Sequence, residues 1–133
     1  MKINRLDFIW LEVDNIRTSI EFYRDRLGLP VDERELESTP PIATVRAGGL
    51  KIILAEEYRP MITRGRGVHL FLNVEDVDEF YYDLKSRGLK LEPPVDEGWG
   101  GRYITVKDPD GYRYFFFSWN GPNEWPAFIN QDF

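Results

Sequence analysis

The side chains in this sequence that could do chemistry are few, and aromatics outnumber the rest. His69 is the only histidine and there is no cysteine, which excludes thiolate metal sites, disulfides and thiol nucleophiles. An imidazole can act as a metal ligand or as a general base near neutral pH. It can equally stand in a cavity wall, hydrogen-bonded to a neighbour. Glu12 and Glu57 could join His69 in an improvised metal set, or be solvated or paired with Lys51 or Arg113. Phe8, Trp10, Phe71, Phe115, Phe117 and Trp119 offer flat apolar surface on which a planar ligand could stack, or simply fill a core. Trp99 lies in the run Gly98-Trp99-Gly100-Gly101, where it can serve as a lid over a ligand or pin its loop to the core. That run lacks the spaced glycines and following helix of a phosphate cradle. Nothing fixes a serine beside the lone histidine, so no nucleophilic triad can be assigned.

These residues need elements to position them, and the sequence writes one set of elements twice. Leu11-Glu12-Val13-Asp14-Asn15-Ile16 matches Leu72-Asn73-Val74-Glu75-Asp76-Val77. Each copy opens as a strand, over 8–13 and 68–74. Each then enters a helix. Asn15 is suited to cap the first, with Ile16, Ile20, Tyr23 and Leu27 as its buried stripe and Gly28 as its stop. In the second, Asp76 and Glu79 resemble a capping box, Val77, Phe80, Tyr81 and Leu84 form the stripe, and Gly88 ends it. Strands are expected over 30–37, 42–47 and 50–57, and again from about Lys90, over 103–107 and over 112–119. The Asp108-Pro109-Asp110-Gly111 run carries the preferred residues of a type I turn. The order is β-α-β-β-β, twice.

Alternation along a strand sorts its residues onto two faces. Ile9, Leu11 and Val13, and likewise Val68, Leu70, Leu72 and Val74, are expected to pack on the helices. Ile52, Leu54, Tyr114 and Phe116 join them from the last strands. The other face then collects Phe8, Trp10, Glu12, Lys51, Ile53, Ala55 and Glu57 in the first copy. In the second it collects His69, Phe71, Asn73, Arg113, Phe115, Phe117 and Trp119. A face with that mixture of aromatics and charges reads as a groove rather than a solvated surface.

Length and composition bound the rest. The 133 residues make one domain: a first module over 1–58, a linker over 59–67, a second module over 68–120 and a polar, aromatic tail over 121–133. Seventeen Lys and Arg against 23 Asp and Glu leave a net charge of −6, which disfavours nonspecific binding to nucleic-acid phosphate. The N-terminus shows no long apolar stretch of the kind a signal peptide or membrane span needs, so no membrane association is expected and the default location is the cytoplasm.

The tandem modules, the helix from Ser19-Ile20-Glu21-Phe22-Tyr23 to Leu27-Gly28-Leu29 and the Asp108-Pro109-Asp110-Gly111 turn together resemble the vicinal oxygen chelate superfamily of glyoxalases, extradiol dioxygenases, fosfomycin-modifying enzymes and bleomycin resistance proteins. The run Glu97-Gly98-Trp99-Gly100-Gly101-Arg102-Tyr103 looks most like the bleomycin-resistance branch. The resemblance implies an α+β fold in which two tandem βαβββ modules form a curved mixed sheet with a cleft. It also implies that the metalloenzyme ligand positions fall on Phe8, His69, Ile53 and Phe115. Only one of these is a ligand, and a divalent ion is not held by hydrocarbon and a single imidazole. The expectation is therefore a metal-independent and cofactor-free small-molecule-binding protein, with no catalytic residue assigned. It would be a homodimer, as the resemblance implies, and would sequester a planar or cationic compound such as an antibiotic. Phe8, Trp10, Glu12, Ile53, Glu57, His69, Phe71, Trp99, Tyr103, Arg113, Phe115 and Phe117 form the expected ligand site. The enzymatic alternative is a glyoxalase- or dioxygenase-like catalyst with a divergent metal site around His69. A third reading is an interaction partner whose aromatic face is buried by protein.

Overall fold

A computed structural model of the chain describes residues 1–57, 59, 63–97 and 101–119. Trp99 and the tail over 121–133 lie outside the described residues. The chain divides into two compact units. Unit 1 holds residues 1–66 together with 108–111, and unit 2 holds 67–107 and the chain from Tyr112 onward.

Unit 1 is a four-stranded mixed sheet backed by one helix. Its strands are β1 (Ile9–Val13), β2 (Val31–Asp32), β3 (Ile42–Ala47) and β4 (Leu50–Glu56), in the order β1-β4-β3-β2. β1 runs parallel to β4, and the other pairs are antiparallel. Asn15 caps α1 (Ile16–Ile20) by accepting the Thr18 N–H at 3.0 Å, as its residue type requires. The helix does not stay regular. From Glu21 to Arg26 it widens into a π-helical stretch, whose looser winding buries the adjacent Phe22 and Tyr23 together. The expected stripe of Ile16, Ile20, Tyr23 and Leu27 is buried, and Phe22 is added to it. Gly28, at φ 70°, takes the left-handed conformation that releases the chain.

Unit 2 repeats the plan, with β5 (His69–Asn73), α2 (Val77–Ser86), β6 (Val95–Asp96), β7 (Gly101–Lys107) and β8 (Arg113–Trp119), in the order β5-β8-β7-β6. β5 is parallel to β8, while β6 to β7 and β7 to β8 are antiparallel. The Asp76 carboxylate accepts the N–H groups of Asp78 and Glu79 at 3.0 and 3.2 Å, neutralising two orphan donors at the start of α2. Val77, Tyr81 and Leu84 are buried beneath it, whereas Phe80 is only partly so and meets Phe116 at 4.5 Å between ring centroids.

Three expectations need correction. The strand expected over 30–37 pairs only at Val31–Asp32, because the Asp32 carboxylate accepts the Arg34 N–H at 3.0 Å and turns the chain out of the ladder. The strand expected from about Lys90 begins at Val95, since Pro93 and Pro94 have no N–H to give. Val68 does not pack inward. It precedes β5 and stays exposed, while Leu70, Leu72 and Val74 are half-buried on or beside the strand at the end of the order β5-β8-β7-β6.

The core of unit 1 is Leu11, Val13, Val45, Ile52, Leu54 and Tyr23; that of unit 2 is Leu84, Ile104, Val106, Tyr114 and Phe116. The Asp-Pro-Asp-Gly segment belongs to unit 1. There the Tyr23 hydroxyl donates to Asp108 Oδ2 at 2.6 Å in a buried setting, and the Asp14 N–H donates to Asp110 Oδ1 at 2.9 Å. Burial pushes the Asp110 carboxyl above its ordinary range. Among the described residues no helix is long and apolar enough to cross a membrane.

Replacing Tyr23 by Phe keeps the packing and deletes one buried hydrogen bond to a carboxylate, so it should destabilise the fold by about 1.5–3 kcal/mol. Urea unfolding of Tyr23→Phe beside the parent measures this, and an unchanged midpoint would deny the bond its role.

Candidate functional site

The helix-distal face of unit 2 is built by register. β8 is a central strand, and alternate residues Tyr114 and Phe116 must point to α2, so Arg113, Phe115, Phe117 and Trp119 point the other way. Pairing on both sides turns these into rungs. Lys107, Arg113 and His69 form one; Thr105, Phe115 and Phe71 the next; Tyr103, Phe117 and Asn73 the third. Phe115 is the hub. Phe71 stacks on it at 4.6 Å with ring planes 8° apart, His69 tilts against it at 5.2 Å, and Tyr103 approaches at 5.8 Å. Phe71 also meets Phe117 edge-on at 6.3 Å.

Phe71, Phe115, Tyr103 and Glu97 line a hollow of about 300 Å³. The Tyr103 hydroxyl donates to Glu97 Oε1 at 3.0 Å. This bond to a carboxylate, assisted by some desolvation, raises the phenol above its ordinary value. Phe71 is 46% exposed and Phe117 only 6%, so Phe71 offers the open aromatic surface and Phe117 supports it from below.

Unit 1 presents the matching face with different chemistry. Trp10 stands beside Ile53, and Glu12 beside Ala55. Trp10 is 45% exposed, and Phe8, just before β1, is 47% exposed. Glu12 and Glu57 share one partner, Arg59, at 2.9 and 3.4 Å. Neither of the partners considered from the sequence, Lys51 or Arg113, takes that part.

The expected site residues therefore fall into two groups: His69, Phe71, Tyr103, Arg113, Phe115 and Phe117 on unit 2, and Phe8, Trp10, Glu12, Ile53 and Glu57 on unit 1. Trp99 is not described. Sequence reasoning passed over Glu97 and Lys107. Glu97 heads the glycine-rich run that leads to Tyr103 and was readable there, with Asp96, as an acid within reach of it. Lys107 could have been found by counting back through the turn, which sets it opposite Arg113.

The superfamily's metal chemistry does not fit this donor set. Phe8, Ile53 and Phe115 carry no lone pair, His69 stands against a phenyl ring, and no three His, Cys, Asp or Glu gather in a metal-holding arrangement among the described residues.

Glu97→Gln removes the carboxylate that Tyr103 donates to. One of the seven tyrosines should then ionise at lower pH, returning toward 10.0. Ultraviolet difference titration of variant against parent detects the change, and superimposable curves would show that the pair does not form.

A family model described as Glyoxalase/Bleomycin resistance protein/Dioxygenase superfamily matches residues 3–116. The chain is 33% identical over 113 residues to the uncharacterized protein YraH of Bacillus subtilis strain 168, covering 77% of this chain and 88% of that one. Its fold is similar to that of TnmS3, an antibiotic binding protein from Streptomyces sp. CB03234, with a TM-score of 0.71, 21% identity and coverage of 90% and 98% of the two chains. FosX, the genomically encoded fosfomycin resistance protein of Listeria monocytogenes, is similar with a TM-score of 0.70, 20% identity and coverage of 88% and 94%. A doubled β-α-β-β-β order, a mixed sheet in each unit and a match over nearly the whole described chain agree: the protein belongs to the glyoxalase/bleomycin resistance protein/dioxygenase superfamily.

Proposed function

We propose that this protein holds a planar organic molecule of antibiotic size on the aromatic face of unit 2 and does not transform it. The observation that carries this reading is the Phe71–Phe115 stack, walled by Tyr103 and Glu97 around a hollow of about 300 Å³. A hollow of that size with a few polar groups suits a small ligand. Aromatic stacking contributes about 0.5–1.5 kcal/mol beyond area burial, so affinity does not require a metal. The antibiotic binding described for TnmS3, on a similar fold, supports a sequestering role.

The protein of this reading is a cytoplasmic homodimer. Each sheet ends in edge strands, β1 and β2 in one unit and β5 and β6 in the other, and pairing with a second copy is one way edge strands are covered. Trp10 and Phe8 supply further apolar surface on unit 1. The net charge of −6 keeps nucleic acid out of the list of partners.

Metal analysis after exposure to zinc, nickel, iron and manganese should find no stoichiometric ion. One tightly held ion per chain that disappears in His69→Ala would replace this proposal with the enzymatic alternative. Ligand binding is tested by titrating bleomycin-like glycopeptides and planar aromatic compounds while following tryptophan fluorescence and heat. Saturation is expected, weakened roughly tenfold in Phe71→Ala by loss of the stack and its buried area, with the compound recovered intact. Turnover of a glyoxalase or dioxygenase substrate without saturable binding of these compounds would overturn it.

A further inference from the structure

The rung next to the aromatic stack is cationic. Lys107 and Arg113 are register partners across β7 and β8, and His69 is the partner of Arg113 across β5. All three are exposed, and neither Lys107 nor Arg113 forms an ion pair among the described residues. Arg24, Arg34, Arg59 and Arg102 each have a carboxylate at 2.6–2.9 Å. The equivalent rung of unit 1, Arg46 opposite Lys51, is exposed and cationic too, but the Lys107–Arg113 rung is the one that adjoins the Phe71–Phe115 stack. The carboxylate of this face, Glu97, lies at the far end and is engaged by Tyr103. From the Arg113 rung to the Tyr103 rung is four residues of strand, about 13 Å, with Phe115 and Phe71 between.

We infer that the planar ligand carries an anionic group, a carboxylate, which sits on the Lys107–Arg113–His69 rung while its ring lies against Phe71 and Phe115. The inference rests on the aromatic face of unit 2 being a ligand site and adds the polarity of what it holds. A guanidinium offers two parallel N–H donors to a carboxylate, the neighbouring ammonium adds a point charge, and an imidazole N–H can add a third contact. A cation in the same orientation would face two positive groups and gain nothing from them. Glu12 and Glu57, the acids that a cationic ligand would need, already share Arg59 on unit 1.

Three ligands of one shape separate the possibilities: naphthoate, naphthamide and naphthylmethylammonium, titrated by calorimetry into the full chain at low and high salt. Naphthoate should bind about tenfold more tightly than naphthamide, the order of one charge-assisted contact at a partly hydrated site, and its advantage should fall as salt rises. Both cations are exposed, so Lys107→Gln/Arg113→Gln should fold, and in it the naphthoate advantage should vanish, naphthoate and naphthamide then binding alike. If naphthamide or the ammonium compound equals naphthoate, or the double variant keeps the preference, the anionic polarity is wrong and the aromatic site stands. If none of the three binds, or Phe71→Ala leaves all three affinities unchanged, the aromatic site itself is wrong.

Discussion

The period of two along β8 is the constraint on which the rest of unit 2 depends. Tyr114 and Phe116 are buried beneath α2, and that requirement alone forces Arg113, Phe115, Phe117 and Trp119 onto the opposite face. A slip of one residue would exchange the two sets, placing a guanidinium in the core and Tyr114 in the open. The hydrophobic demand of the core therefore specifies the candidate site. The aromatic hub at Phe115 is the other side of the same strand that anchors the helix.

Ordinary proteins leave such a second face solvated, with polar side chains alternating against the core. Here it carries a stack of phenyl rings flanked by two unlike polar ends. At one end Glu97 and Tyr103 satisfy each other, which holds the tyrosine neutral over a wider pH range. At the other end Lys107 and Arg113 stand side by side in the ladder, a like-charge pairing that costs stability when directly opposed. Some cations of the molecule are neutralised, as where Arg102 bridges Asp78 and Asp96 at 2.9 Å each, while Arg46 and Lys51 form a second like-charge pair in the ladder of unit 1. Surface bridges of this kind contribute little to stability; what sets the Lys107–Arg113 rung apart is the aromatic stack beside it.

Membership of the superfamily supplies a scaffold rather than a reaction, because function resides in the side chains placed on a fold. At the positions to which the resemblance carries the metalloenzyme ligands, this chain has Phe8, Ile53 and Phe115 beside His69, and His69 has a phenyl ring as its neighbour.

By itself the sequence determined the doubled β-α-β-β-β order, the caps at Asn15 and Asp76, the glycine stops and the two-faced sorting of the strands. All of these follow from short-range periodicity and from residues with one conformational habit. It was legible, too, that His69, Phe71, Phe115 and Phe117 share a face, since alternation is counted along the chain. Only tertiary structure decided the rest. The π-helical widening after Ile20 follows from burying Phe22 and Tyr23 together, a demand that comes from packing and not from propensity. That Glu12 and Glu57 both meet Arg59 depends on where a distant segment returns. That Glu97 meets Tyr103, and that His69 abuts Phe115 and not a second ligand, depends on which strands become neighbours. Strand pairing is a long-range choice made by the whole core, and no local pattern along the chain encodes it.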